Sequence, residues 1–216
     1  MPARERILER IRRAQHRGGA APGADEQDLV TTYLRAHPRG PLPALDRDLV
    51  ERFRARAAAL ASTVDAVASE RDAPGAVARY LDAHKLARSG CVWPRLATLD
   101  WRGAGLALEA RAAVGADAIG VTGAYCAIAE TGTLCVLSGP DTPSSVSLLP
   151  ETHVAIVPAS RIVAHMEDAW DLMRAELGQL PRAVNYISGP SRTADIEQTV
   201  VLGAHGPARV HVIIAG

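Results

Sequence analysis

Cysteine is scarce in this chain: three residues, Cys91, Cys126 and Cys135, with no CxxC spacing. An odd number without that spacing excludes a disulfide framework and supplies neither a zinc site nor a four-thiolate iron-sulfur cluster. The thiols are expected to be buried side chains. Aromatics are only 4%, and 24 basic residues balance 24 acidic ones, so the positive field and stacking platforms of a nucleic-acid binder are both missing. Lys85 is the sole lysine, and no GxxxxGK(S/T) loop surrounds it. No apolar run approaches the roughly 20 residues of a membrane span. The N-terminus "MPARERILERIRRAQHR" contains acids and lacks the apolar centre of a secretory leader, so the cytoplasm is the expected compartment. GxSxG and a strand-borne GxGxxG are also absent, which leaves little for a serine hydrolase or a Rossmann dinucleotide site. Of seven histidines none sits at metal-ligand spacing, and His153, at a strand edge, and His205, in "GAHGP", read either as cleft-facing or as turn or surface residues.

What is present is a chain of 216 residues, 48% hydrophobic, enough for one well-buried core with an arm. Residues 4 to 17 carry six arginines and two glutamates, with Ile7, Leu8 and Ile11 on one helical face. That pattern predicts a helical arm, either packed on its own domain or binding a partner. The stretches "GGAAPGADEQ" and "AHPRGPLPALDR" break it, so residues 1–44 are expected to be arm and linker and 45–216 the compact domain.

Leu49, Phe53, Ala57 and Leu60 recur at helical spacing, and "STVDAVA", "PGAVARYLDAHKLA" and "SGCVWP" then read as strand, helix and strand. Later, "THVAIVP", "RAVNYIS" and "RVHVIIA" read as strands, and Met166, Trp170, Met173 and Leu177 form one face of a helix. Alternation of this kind predicts an α/β fold, a layered and mostly parallel sheet flanked by helices.

Residues 115–151, "GADAIGVTGAYCAIAETGTLCVLSGPDTPSSVSLLPE", are rich in small and hydroxyl residues, as a backbone-lined cleft is. Gly120, Gly123, Gly132 and Gly139 permit close backbone approach, to an anion or within tight turns. Glu130 lies among apolar neighbours, where its carboxylate needs hydrogen bonds or a cation. Two readings stand: a structural acid paired with backbone N–H groups or Arg192, and a cleft acid, base or nucleophile beside the hydroxyls of Thr131 and Thr133. A second cluster places Gly189, Ser191, Arg192, Thr193 and Asp195 on a turn after a strand, leading into a loop or helix. It suits an anionic ligand, or equally a helix cap with Arg192 bridged to Asp195 or Glu197.

The blocks "GVTGAYCAIAETGTL", "SLLPETHVAIVPASRIVAHMEDAW" and "ISGPSRTADIEQTVVLGAHGPARVHVII" resemble the LUD-domain family, in its lactate-utilisation branch, over roughly residues 45–216. The resemblance implies a domain like those of the NagB/RpiA/CoA-transferase superfamily. It also implies a non-redox part in oxidising L-lactate to pyruvate with iron-sulfur oxidoreductase subunits; the spacing of the thiols and histidines adds the expectation of no cofactor and no metal in this chain. The alternative is a free-standing enzyme acting on an acyl-CoA or phosphorylated substrate through Glu130, by analogy with the glutamate nucleophile of CoA transferases. In a third reading the cleft residues only specify turns.

Overall fold

The computed structural model describes residues 2–16, 21–45, 47–196 and 199–216, with side chains described outside 194–200. The chain divides into two units, Met1–Leu42 and Pro43–Gly216. The first holds helix α1 (Ala3–Ala14) and helix α2 (Ala24–Ala36). The sequence reading missed α2. Its start is marked by Glu26, whose side chain accepts from the Gly23 N–H at 3.2 Å, and by an apolar set, Leu29, Val30, Tyr33 and Leu34, that helical spacing brings to one side. Neither helix contains a buried residue.

The second unit opens with α3 (Leu49–Ala59), which begins where Asp48 accepts from the Glu51 N–H at 3.0 Å and buries Phe53 and Ala57. Strand β1 (Thr63–Val67) follows, then α4 (Ala73–Ala83) with Pro74 in its first turn, and β2 (Ser89–Val92). Next come β3 (Ala107–Ala110), β4 (Ile119–Gly123), β5 (Cys126–Ile128), β6 (Thr133–Leu137) and the short α5 (Ser145–Leu148). The chain continues through β7 (Thr152–Pro158), β8 (Ile162–Val163), α6 (Met166–Glu176) and β9 (Val184–Ile187). It closes with β10 (Arg192–Ile196), β11 (Thr199–Leu202) and β12 (Arg209–Ala215).

Among the described residues the main sheet has the order β1-β12-β7-β4-β2-β3, with every pairing parallel. Its central strands β4, β7 and β12 are buried along nearly their whole length. That burial explains why they read as continuous apolar runs rather than alternating ones. The expected layered α/β architecture is present. The same burial corrects the reading of His153. It is wholly buried in β7, with Nε2 2.8 Å from Thr122 Oγ1. His205 is exposed in a bend, as expected.

A second sheet, β8-β5-β6-β9, has its β5–β6 and β6–β9 pairs antiparallel. The glycine-rich middle supplies β4, β5 and β6, and its small residues let β5 and β6 run buried between the main sheet and α6. Cys126 and Cys135 face each other across β5 and β6, and all three cysteines are buried and free. Met173 and Ala169 of α6 bury against that pair.

Candidate functional site

Glu130 sits at the turn of the β5–β6 hairpin, where its N–H donates to the Ala164 carbonyl at 3.0 Å and continues the β5–β8 edge. Its carboxylate Oε2 lies 2.8 Å from His165 Nδ1, with side-chain exposures of 27% for Glu130 and 12% for His165. This contact answers the demand for compensation, and with a residue the sequence reading did not name. A carboxylate accepts only, so Nδ1 carries the proton in this bond, and in the neutral ring that leaves Nε2 as an acceptor. His165 is itself fixed at the start of α6, its N–H donating to Asp168 Oδ2 at 2.8 Å. Arg192, the partner considered for Glu130, instead donates from Nη2 to the Leu60 carbonyl at 2.8 Å.

The two expected clusters do meet, around the C-terminal half of α3. Thr131 Oγ1 and Thr133 Oγ1 are 2.7 Å apart, and Thr133 Oγ1 is 2.7 Å from Ser188 Oγ, which links the Glu130 turn to the Gly189 loop. Gly132 has φ +69°, and a Cβ there would lie 2.5 Å from Ala57 N; Gly189 has φ +78°, and its Cβ would lie 2.3 Å from Leu60 O. The close approach anticipated at Gly132 is real, but at both glycines it is made by α3 and its end in the same chain. The N–H of Gly132 is already given to Ile128 O, and that of Ser191 to Pro207 O. The segment after Ser191 is a β10–β11 hairpin rather than a helix, so the helix-cap reading of Arg192 is corrected. Thr193 pairs with Val201 in that hairpin. The side chain of Asp195 and all of Glu197 lie outside the described residues.

A cavity of about 660 Å³ lies elsewhere, at the carboxyl ends of the parallel strands. Trp93 follows β2, Gly123 ends β4 and Pro158 ends β7, and all three line it. From β2 the chain runs outward to β3, whereas the next strand of this sheet after β4 is β7, on the opposite side. The cavity thus opens at the point where the strand order reverses, the place where open α/β sheets bind ligands. Of the expected site residues only Gly123 is on its wall.

The cavity's ionisable groups were not singled out from the sequence. Arg161 donates from Nη1 and Nη2 to the two Glu176 oxygens at 2.6 and 2.9 Å, and from Nε to the Tyr125 carbonyl at 2.9 Å. Its guanidinium carbon stands 4.6 Å from the Tyr125 ring centroid, and the Tyr125 hydroxyl donates to Glu176 at 2.8 Å. Arg161 first, then Tyr125, holds the Glu176 carboxyl down to about 2. Burial first, then the bond to Glu176, pushes the Tyr125 phenol up to about 12. Arg95, exposed at the rim, makes no ion pair among the described residues. One signal was available: Arg161 comes just after the buried run "THVAIVP", at the strand end where such folds place function.

The family model described as LUD domain matches residues 50–215. Lactate utilization protein C of Bacillus subtilis (strain 168) is 43% identical over 99 residues, 44% of this chain and 41% of that protein. The match therefore spans about two fifths of that relative's length. Lactate utilization protein C of Exiguobacterium sp. (strain ATCC BAA-1283 / AT1b) is 33% identical over 201 residues, 89% of this chain and 80% of that protein. The crystal structure of a DUF162 family protein from Deinococcus radiodurans superposes with a TM-score of 0.60 at 24% identity, covering 81% of this chain and 100% of that one. This last likeness speaks for the fold alone. With the family model matching most of the second unit, the chain belongs to the LUD-domain family.

Proposed function

We propose that this chain is the non-redox component of an L-lactate utilisation system that oxidises L-lactate to pyruvate with iron-sulfur partner proteins in the cytoplasm. The observation that carries the reading is the 33% identity, over 80% of its length, to a protein named Lactate utilization protein C. The cysteines support the division of labour: three thiols fall short of a four-thiolate cluster, and all are buried. The contribution of this chain is then a binding one. The cavity at the strand ends offers Arg95 and Arg161 to a small anionic ligand, which is the chemistry the sequence reading assigned to its glycine loops.

The alternative, an enzyme acting on an acyl-CoA or phosphorylated substrate through Glu130, draws on the Glu130–His165 pair. A carboxylate that fixes an imidazole tautomer leaves a lone pair for proton transfer.

Deleting the gene in its native host and supplying L-lactate as sole carbon source tests both. Growth is expected to stop and to return with the wild-type gene, and the tagged protein is expected to bring down iron-sulfur proteins under anaerobic conditions. Unimpaired growth together with no iron-sulfur partner overturns the reading. Complementation with Glu130→Gln separates the alternative, because a reacting carboxylate predicts lost growth with retained folding.

A further inference from the structure

The cavity is oversized for the substrate of the proposed system. Cavities of roughly 300–1,000 Å³ hold ligands of drug size, and this one, at about 660 Å³, lies well inside that range. A three-carbon hydroxy acid would leave most of it to water. Much of the wall is apolar, with Trp93, Leu96, Leu137, Ile156, Pro158 and Leu177 facing the space.

At one end Arg161 and Tyr125 form a complete seat for a carboxylate: two parallel guanidinium N–H groups and a phenol O–H converge on one pair of oxygens. Those oxygens belong to Glu176. The seat does not depend on that occupant, since the Arg161 Nε bond to the Tyr125 carbonyl and the stacking on the Tyr125 ring hold the guanidinium in place by themselves. Glu176 is the last residue of α6, where the negative end of the helix dipole disfavours a carboxylate. Its side chain is 41% exposed, so water is within its reach.

The charged wall residues are two acids, Glu70 and Glu176, and two arginines, Arg95 and Arg161. Exchanging one carboxylate for another on Arg161 adds a single negative charge, which Arg95 at the rim can face. A dianion would add a second charge beside Glu70.

From this arrangement we infer that Glu176 is an internal stand-in for a ligand. The cavity takes a monocarboxylate with an apolar body, larger than lactate, whose acid group displaces that of Glu176 from Arg161 and the Tyr125 hydroxyl while its body lies along Trp93, Leu96 and Ile156. This rests on reading the cavity as the anion site, and it does not depend on the role in lactate oxidation.

Calorimetric titration of the full chain with 3-phenylpropanoate, its amide and L-lactate tests the inference. The acid is expected to bind, and the amide and lactate each to bind at least about tenfold more weakly, the amide because charge-assisted bonds are roughly twice as strong as neutral ones and lactate because it has no apolar body to bury along the wall. Glu176→Gln weakens the internal competitor, so it is expected to bind the acid several-fold more tightly than the wild type. Tyr125→Phe is expected to weaken the acid several-fold and Arg161→Gln to abolish the preference for acid over amide. If Arg161→Gln fails to fold, the other two variants carry the test. A pair that merely staples α6 to the loop after β7 predicts no gain in Glu176→Gln and no acid preference. Either result overturns the inference, as does an absence of binding at millimolar acid. Wild-type protein that ignores the acid but restores growth on L-lactate removes this inference and leaves the proposed function standing. Acid binding without any lactate phenotype does the reverse.

Discussion

Two histidines inside the main sheet set how the fold responds to acid. His153 and His211 are buried, with Nδ1 of the first and Nε2 of the second unpaired and their other nitrogens 2.8 Å from Thr122 Oγ1 and Thr63 Oγ1. Burial lowers both to about 4. Unfolded imidazoles titrate near 6.5, so between pH 6.5 and 4 the unfolded chain takes up protons that the folded chain refuses. Stability is therefore lost as the pH drops from 6.5 to 4, by on the order of 3 kcal/mol for each residue. Above 6.5 they add no slope, and below 4 both states carry the charge. Denaturant unfolding of the wild type and His153→Gln over pH 4 to 7 checks this: the variant should show about half the wild type's pH-dependent loss of stability. Glu130 shows what the sequence offered at this scale. Its need for a partner was legible from Ala127, Ile128, Ala129 and Leu134 around it. The identity of that partner, His165, was not, because the pairing of β5 with β8 brings together residues 35 positions apart.

The same limit appears between elements. Gly132 was legible as a place of close approach and Gly189 as a turn, yet the approaching group at both is α3, whose backbone at Ala57 and Leu60 fills both niches. Alanine at either position combines a left-handed backbone with a Cβ inside contact distance of backbone atoms, and each substitution is expected to cost at least about 2 kcal/mol. Gly178, where a Cβ meets nothing within 4 Å, should tolerate alanine within about 0.5 kcal/mol. Urea unfolding of the three variants decides it. Equal stability of Gly132→Ala and wild type would mean that α3 does not hold the turn. Arg56, donating to the Glu130 carbonyl at 3.1 Å, and Arg192, donating to the Leu60 carbonyl, tie the C-terminal end of α3 to the two loops. An amphipathic helix announces its apolar face by spacing, and Phe53 and Ala57 did so; its polar contacts carry no comparable period.

For the whole molecule, the first unit, Met1–Leu42, contains no buried side chain in either helix. We propose that a chain beginning at Leu45 folds unaided, with a circular dichroism spectrum showing sheet and helix and a melting temperature within a few degrees of the full chain. Recovery only as an insoluble or unfolded product would place the arm inside the folding unit. The sequence by itself determined the class of fold, because apolar runs of strand length alternating with helical periodicity leave few layered arrangements. It also determined that Glu130 needs a partner and that the cysteines cannot supply a cluster, since both follow from residue type and count. Tertiary structure alone decided where a cavity exists, because that depends on the reversal of strand order between β2 and β4 and on the end of α6 closing over it. Tyr125 and Arg161 come from two separate connections and Glu176 from the end of α6, and the bidentate seat they form has no spacing to read. It arises only when the sheet brings the carboxyl ends of its strands to one side.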